Sequence, residues 1–205
     1  MNAIHLAVIT AGISRPSSTR LLADRLTAAT VQALGKEVDA VVEVINVRDV
    51  AQELTNNVLT GFAAPDLQAR LDAIAEADAV IVSTPIYSAS YSGLFKMLID
   101  VLPEDALRGT PVLLGATGGT ARHSLAIDHA LRPLFAYLGA LVAPMAVYAA
   151  TEDWGSADAG ALGERIDAAG AAFARLLQGG AIPRPVDPFV DVTPFASLLT
   201  DVSRP

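Results

Sequence analysis

Five short runs of the chain are almost wholly apolar and rich in β-branched residues: IHLAVIT from Ile4, AVVEVINV from Ala40, AVIVSTP from Ala79, PVLLGAT from Pro111 and LVAPMAVY from Leu141. Bounded by glycine, proline or polar residues, runs of this kind predict buried strands. Between them, apolar residues recur at three- and four-residue spacing in segments beginning near Ser18, Pro65, Ser92 and Arg122, and again from about Ala157 to Leu177. That is the period of an amphipathic helix. Strands that are apolar on both faces and alternate with helices predict an α/β three-layer sandwich, because each crossover lays a helix on one face of a parallel sheet. The expected sheet has five strands in the order 2-1-3-4-5.

That order is the flavodoxin-like one, and the pattern fills residues 1–180 as one domain. Glu53 to Pro65 (ELTNNVLTGFAAP) is expected to be a long connection, apolar enough to meet a partner subunit or to pack over its own sheet. The last 23 residues hold five of the 12 prolines, so residues 181–205 form neither one helix nor a central strand. Phe189, Val190, Val192, Phe195, Leu198 and Leu199 make this tail too apolar for a solvated linker, and it is expected to pack on the domain or on a partner.

Composition narrows the chemistry. The 205 residues carry a formal net charge of -8, which opposes general attraction to nucleic acid or to an anionic membrane. No cysteine is present, so thiol catalysis, disulfides and cysteine-held metal centres drop out, and any redox chemistry must use a bound cofactor. The N-terminus MNAIHLAVIT has no basic leader with an apolar stretch and cleavage site, and no apolar run approaches the roughly 20 residues that cross a bilayer. A cytoplasmic address is expected.

Ligands of an open parallel sheet bind beyond the carboxyl ends of its strands, near the point where strand order reverses. After the first strand comes GISRPSST, in which Ser14, Ser17, Ser18 and Thr19 meet the start of a helix. Hydroxyls and helix-entry amides there suit a phosphate, although a serine that merely caps the helix accounts for one of them. After the third strand, Pro85 restrains a loop with Ile86, Tyr87 and Ser88, and Tyr87 and Tyr91 offer flat surfaces. After the fourth, Thr117, Gly118, Gly119 and Thr120 let main-chain amides approach a ligand closely. Either of the last two could be a simple strand-to-helix turn. Together the three loops suit a flat, phosphorylated ligand such as FMN. No G-x-G-x-x-G follows the first strand and no G-x-x-x-x-G-K-[ST] loop occurs.

TPIYSASYSGLFKMLIDVLP resembles the T-P-x-Y-x-x-S-x-x-G-x-x-K segment of the NAD(P)H-dependent FMN reductases, a flavodoxin-like family. GATGGTARHSLAIDHALRPLFAYLGA resembles that family's A-T-G-G segment and following helix, and with the first loop the resemblance runs from about residue 4 to 150. The loop AGISRPSSTR is similar to that of reductases which feed reduced flavin to two-component, luciferase-like monooxygenases. The resemblance implies that Ser14, Ser17, Ser18 and Thr19 hold the FMN phosphate with Arg20 as helper. Pro85, Ile86, Tyr87 and Ser88 would line the ring, and Thr117, Gly118, Gly119 and Thr120 would contact its polar edge. It also implies NADPH or NADH as hydride donor and a homodimer or homotetramer. The sequence departs from many relatives in having AGIS where they have G-S-x-R, and Ile86 where they have Glu; an apolar residue there resembles the sulfonate-utilisation branch.

Hydride transfer between two rings needs their stacking and charge stabilisation, so no conventional catalytic side chain is expected. His123, Asp128 and His129 lack metal-ligand spacing and read as surface or interface residues, as His5 reads as structural. Ser124 has no G-x-S-x-G context, and Trp154 reads as a packing or interface residue. Arg15, Arg108 and Arg122 are equal candidates for a ribose phosphate. Two other functions share these residues: an electron carrier that retains FMN, and a quinone or azo reductase with FMN as a fixed prosthetic group.

Overall fold

The computed structural model describes residues 3–155 and 159–179. The tail at 181–205 lies outside these residues, as do the first two positions of the expected last helix. Strands β1 (Ile4–Thr10), β2 (Ala40–Asn46), β3 (Ala79–Tyr87) and β5 (Pro111–Gly118) form the parallel centre of the sheet. A two-residue strand β4 (Ser90–Tyr91) folds back antiparallel on Ile86 and Tyr87.

The sheet has seven strands rather than the expected five, in the order β2-β1-β3-β5 with β6 (Leu141–Val142) and β7 (Val147–Ala150) both on the far side of β5. The run LVAPMAVY is a single predicted strand that splits: β6 pairs with the start of β5 and β7 with its end. Pro144 lies in the gap and has no N–H for the ladder. The carbonyls left there are taken up by Arg132, whose guanidinium donates to Ala143 O at 2.8 Å and Pro144 O at 2.6 Å. The parallel order therefore remains flavodoxin-like, with the fifth position shared by two short strands.

Helices α1 (Ser18–Leu34) and α6 (Ala159–Leu177) cover one face, where Leu22, Leu26 and Phe173 pack with Leu6, Val8, Ile81 and Leu113. Helices α3 (Pro65–Ala75) and α4 (Gly93–Val101) and the Phe135 region cover the other, over Ile9, Val82 and Leu114. The strand alternation that divides these sets is the period-two pattern of a sheet buried on both sides.

Two local expectations are corrected. Glu53 to Pro65 is mostly helical: α2 spans Ala51–Thr60, closes at Gly61 with φ 76°, and leaves residues 61–64 as the connection. Two asparagines and two threonines hide its period, and Leu54 is its one buried residue. The helix expected from Arg122 is broken into a 3-10 turn at Ala121–His123, a π turn at Ile127–Leu131 and α5 (Arg132–Tyr137). Pro133 removes the amide that would have continued the ladder back to residue 129.

Candidate functional site

At the carboxyl edge of the sheet, the segments after β1, β3 and β5 lie side by side. Ala11 N–H donates to Ser83 O at 3.0 Å, and Pro85 stands opposite Thr117 in the β3–β5 register. Strand pairing alone thus brings the three predicted loops together.

The β1 loop enters α1 through Ser17, whose backbone is extended and whose Oγ accepts the Arg20 N–H at 3.2 Å. No acidic residue occupies the first turn of this 17-residue helix, so no carboxylate of the helix itself offsets its positive end. Gly12, Ser14, Arg15, Ser17 and Arg20 line a cavity of about 200 Å³, closed on the β2 side by Asn46, Arg48 and Asp49. Ser14 and Ser18 are exposed, while Ser17 is partly buried. Thr19 is buried and turned inward, its Oγ1 2.7 Å from Thr117 Oγ1.

The arginines around this loop are held by the chain. Arg20 donates to Asp24 at 2.7 Å and Asn46 at 3.1 Å. Arg48 donates to Ile13 O at 2.8 Å and so fixes the loop from the end of β2. Arg15 lies 3.7 Å from Asp49. Of the other ribose-phosphate candidates, Arg108 pairs with Asp105 just before β5, at the opposite edge of the sheet. Arg122 follows Thr120 on an exposed turn at the site's edge and makes no ion pair among the described residues.

At the end of β3, Pro85 and Ile86 are buried, and Ile86 joins the core on the α3–α4 face. Tyr87 is 49% exposed and, with exposed Ser88, presents the outer surface of the β3–β4 hairpin. Ser88 and Ala89 both have positive φ, 49° and 68°, the backbone a two-residue hairpin with matching twist requires. Neither is glycine or asparagine, so the turn carries strain. It is anchored at Thr84, which accepts the Ser92 N–H at 3.3 Å, while Ser92 caps α4 by accepting the Phe95 N–H at 3.2 Å.

At the end of β5, Thr117 is buried and Gly118 half-buried, and just beyond it Gly119 and Thr120 are exposed. Neither Gly119 nor Thr120 donates its N–H to another group among the described residues. Tyr148 on β7 reaches under this segment and its hydroxyl donates to Thr120 O at 2.8 Å. A Cβ on Gly118 would lie 2.0 Å from that hydroxyl, so only glycine fits. Burial raises the Tyr148 phenol above its ordinary range, with Asp153 and then Glu152 adding to the effect.

Tyr148, Arg48 and Asn46 were not among the predicted site residues. Tyr148 had a signal, a polar aromatic within the otherwise small, apolar VYAA; Arg48 and Asn46 follow β2, whose end borders the phosphate loop only once strand order is known. Asp128 is taken by Arg132, with Nε to Oδ1 at 2.6 Å, and Trp154 packs beneath the Arg25 guanidinium at 5.4 Å. Larger hollows, of about 410 Å³ beside His5 and Glu76 and about 630 Å³ between α4 and α5, lie away from these loops.

Residues 4–155 match the model of a family described as NADPH-dependent FMN reductase. The chain is 42% identical over 149 residues to an FMN reductase (NADPH) of Pseudomonas aeruginosa, covering 73% of this chain and 78% of that one. It is 40% identical over 149 residues, with the same coverages of 73% and 78%, to the NADH-dependent FMN reductase SfnF of Pseudomonas putida. Among solved structures, an oxidoreductase of Corynebacterium diphtheriae superposes with a TM-score of 0.83 at 39% identity, over 88% of this chain and 100% of that one.

Proposed function

The chain belongs to the NADPH-dependent FMN reductase family, and on that premise we propose that it reduces FMN with NADPH or NADH at the carboxyl edge of its sheet. The observation that supports this most is the pairing, across one edge, of a helix N-terminus with no acidic residue in its first turn and hydroxyls at Ser14, Ser17 and Ser18 with a glycine loop whose Gly119 and Thr120 amides find no acceptor among the described residues. One end suits a phosphate dianion, the other a row of ring carbonyl and nitrogen acceptors. When bound, FMN supplies the ring that accepts two electrons as hydride from a reduced nicotinamide.

The chain's own work is binding and alignment. Ser14, Ser17, Ser18 and the first α1 amides hold the phosphate, and Arg20 and Arg48 supply positive charge from the flank of the cavity. Thr19 contributes through Thr117 rather than by an exposed hydroxyl. Tyr87 and Ser88 form a wall for the ring, with Pro85 and Ile86 setting the backbone beneath it. Gly118, Gly119 and Thr120 face the polar edge, where fixed amides stabilise the negative charge that reduction brings. Arg15 and Arg122 border this edge and are the candidates for the donor's ribose phosphate; Arg108 is not.

Residues 1–180 act as one reductase domain, and the tail at 181–205 lies outside the described residues. Among the described residues no helix is long and apolar enough to cross a membrane, and a cytoplasmic enzyme is in keeping with this. A homodimer or homotetramer fits the apolar residues left bare on α2, and the product is supplied to a flavin-dependent monooxygenase.

Initial rates with both FMN and nicotinamide varied test this reading. Intersecting lines with freely dissociating FMN are expected. Parallel lines with quinone as acceptor and FMN that survives dialysis would replace it with a quinone reductase.

A further inference from the structure

The segment Thr117–Thr120 is gripped from both faces of the sheet. On the α1 face, Thr117 Oγ1 meets Thr19 Oγ1 at 2.7 Å, and both side chains are at least 96% buried. On the opposite face, Tyr148, itself 93% buried, donates to Thr120 O at 2.8 Å and occupies the space a side chain on Gly118 would need. Between the two pins lie two glycines, the residues with most backbone freedom to lose, and the N–H groups of Gly119 and Thr120 have no acceptor within the described chain. Flexible glycines bracketed by one buried and one partly buried hydrogen bond, with free donors between them, are a device for fixing the direction of amides before a ligand arrives.

We propose that Tyr148 and Thr19 are positioning residues that aim the Gly119 and Thr120 amides at the polar edge of the flavin ring, so that this enzyme binds reduced FMN better than it would with an untethered loop. The inference rests on the assignment of FMN to this edge. Its selectivity has a physical reason: reduction places negative charge on the ring edge, and hydrogen bonds to a charged acceptor are stronger and lose more when donors are misaligned. The Thr19 bridge adds a second effect. Thr19 sits in the first turn of α1, so the bridge sets the distance between phosphate cradle and ring-edge loop. Neither residue needs to touch the flavin.

The test uses the full chain stripped of flavin, with Tyr148→Phe, Thr19→Val and Thr19→Ser. Equilibrium titration with oxidised FMN, and anaerobically with dithionite-reduced FMN, gives two dissociation constants for each variant, and melting without flavin reports the fold. Tyr148→Phe keeps the ring that packs under Gly118 and removes only the donor. It is expected to weaken reduced FMN by about tenfold and oxidised FMN by about threefold or less, as the untethered Gly119 and Thr120 amides lose alignment on a charged acceptor. Thr19→Val is expected to weaken both forms, and Thr19→Ser to restore them. Unchanged constants in Tyr148→Phe, or equal weakening of the two forms, would overturn the proposal. If the unmutated chain binds neither form, the assignment of FMN to this edge is what fails.

Discussion

Ser17 Oγ lies where a side chain on Gly12 would have to go: a Cβ built on Gly12 comes within 2.1 Å of it and 3.0 Å of Thr19 Cβ. The glycine after β1 is therefore a requirement of the helix cap, since this hydroxyl accepts the Arg20 N–H. Gly12→Ala is expected to push Ser17 out of its capping rotamer and to cost the cap, about 1 kcal/mol of stability. Because the same hydroxyl faces the phosphate cavity, FMN affinity should fall about tenfold, measured by fluorescence titration. An alanine variant that binds FMN as the parent does would mean Ser17 is not a phosphate ligand.

The hairpin at Ser88 and Ala89 gives a prediction of opposite sign for stability. Ala89 is held at φ 68°, a conformation glycine adopts without penalty. Ala89→Gly should stabilise the chain by about 0.5–1 kcal/mol, the relief of strain less the added freedom of the unfolded chain. That corresponds to roughly 1–4 °C in a thermal melt. If Tyr87 and Ser88 form the wall for the ring, the looser turn should also raise KM for FMN while leaving kcat within about twofold.

Tyr148 links stability to alkaline pH. Its phenol is raised above the ordinary 10.0 by burial first, then by Asp153 and Glu152. The folded chain thus keeps this proton where the unfolded chain has begun to lose it. The associated stability is complete below the unfolded value and is lost as pH rises through the folded one. Urea unfolding above pH 10.0 should show stability falling with pH, by a smaller slope in Tyr148→Phe. Identical slopes would show that the phenol does not titrate with folding.

Much of this site was readable in the sequence because it is local. The β-branched runs at Ile4, Ala79 and Pro111 each end within two residues of the corresponding strand, β3 running two further to Tyr87. Hence the loops that follow are neighbours as soon as the parallel order is inferred. What was not readable depends on distant partners. The 98-residue separation of Thr19 and Thr117 hides their contact, and Thr19 looks like one more loop hydroxyl until its burial is seen. Helix α2 was missed because burial of Leu54, rather than propensity, decides it. The split of the fifth strand was visible only as Pro144, whose effect requires Arg132 to take the freed carbonyls.

Helix α2 also yields a prediction about assembly. Val58 is 53% exposed, Leu59 79% and, just beyond the helix, Phe62 80%. Three large apolar residues so close together favour cover by a second copy. Phe62→Asp is expected to lower the particle mass measured by light scattering, without loss of the folded far-ultraviolet spectrum. An unchanged mass would remove this face from the subunit contact.

If this edge of the sheet reduces FMN as a substrate, oxidation of NADPH and of NADH by flavin-stripped protein, followed with and without added FMN, should reveal it. Turnover with at least one of the two nucleotides is expected to appear only when FMN is added and to saturate with its concentration. No oxidation of either nucleotide by protein that demonstrably binds FMN would contradict this and point to an electron carrier instead.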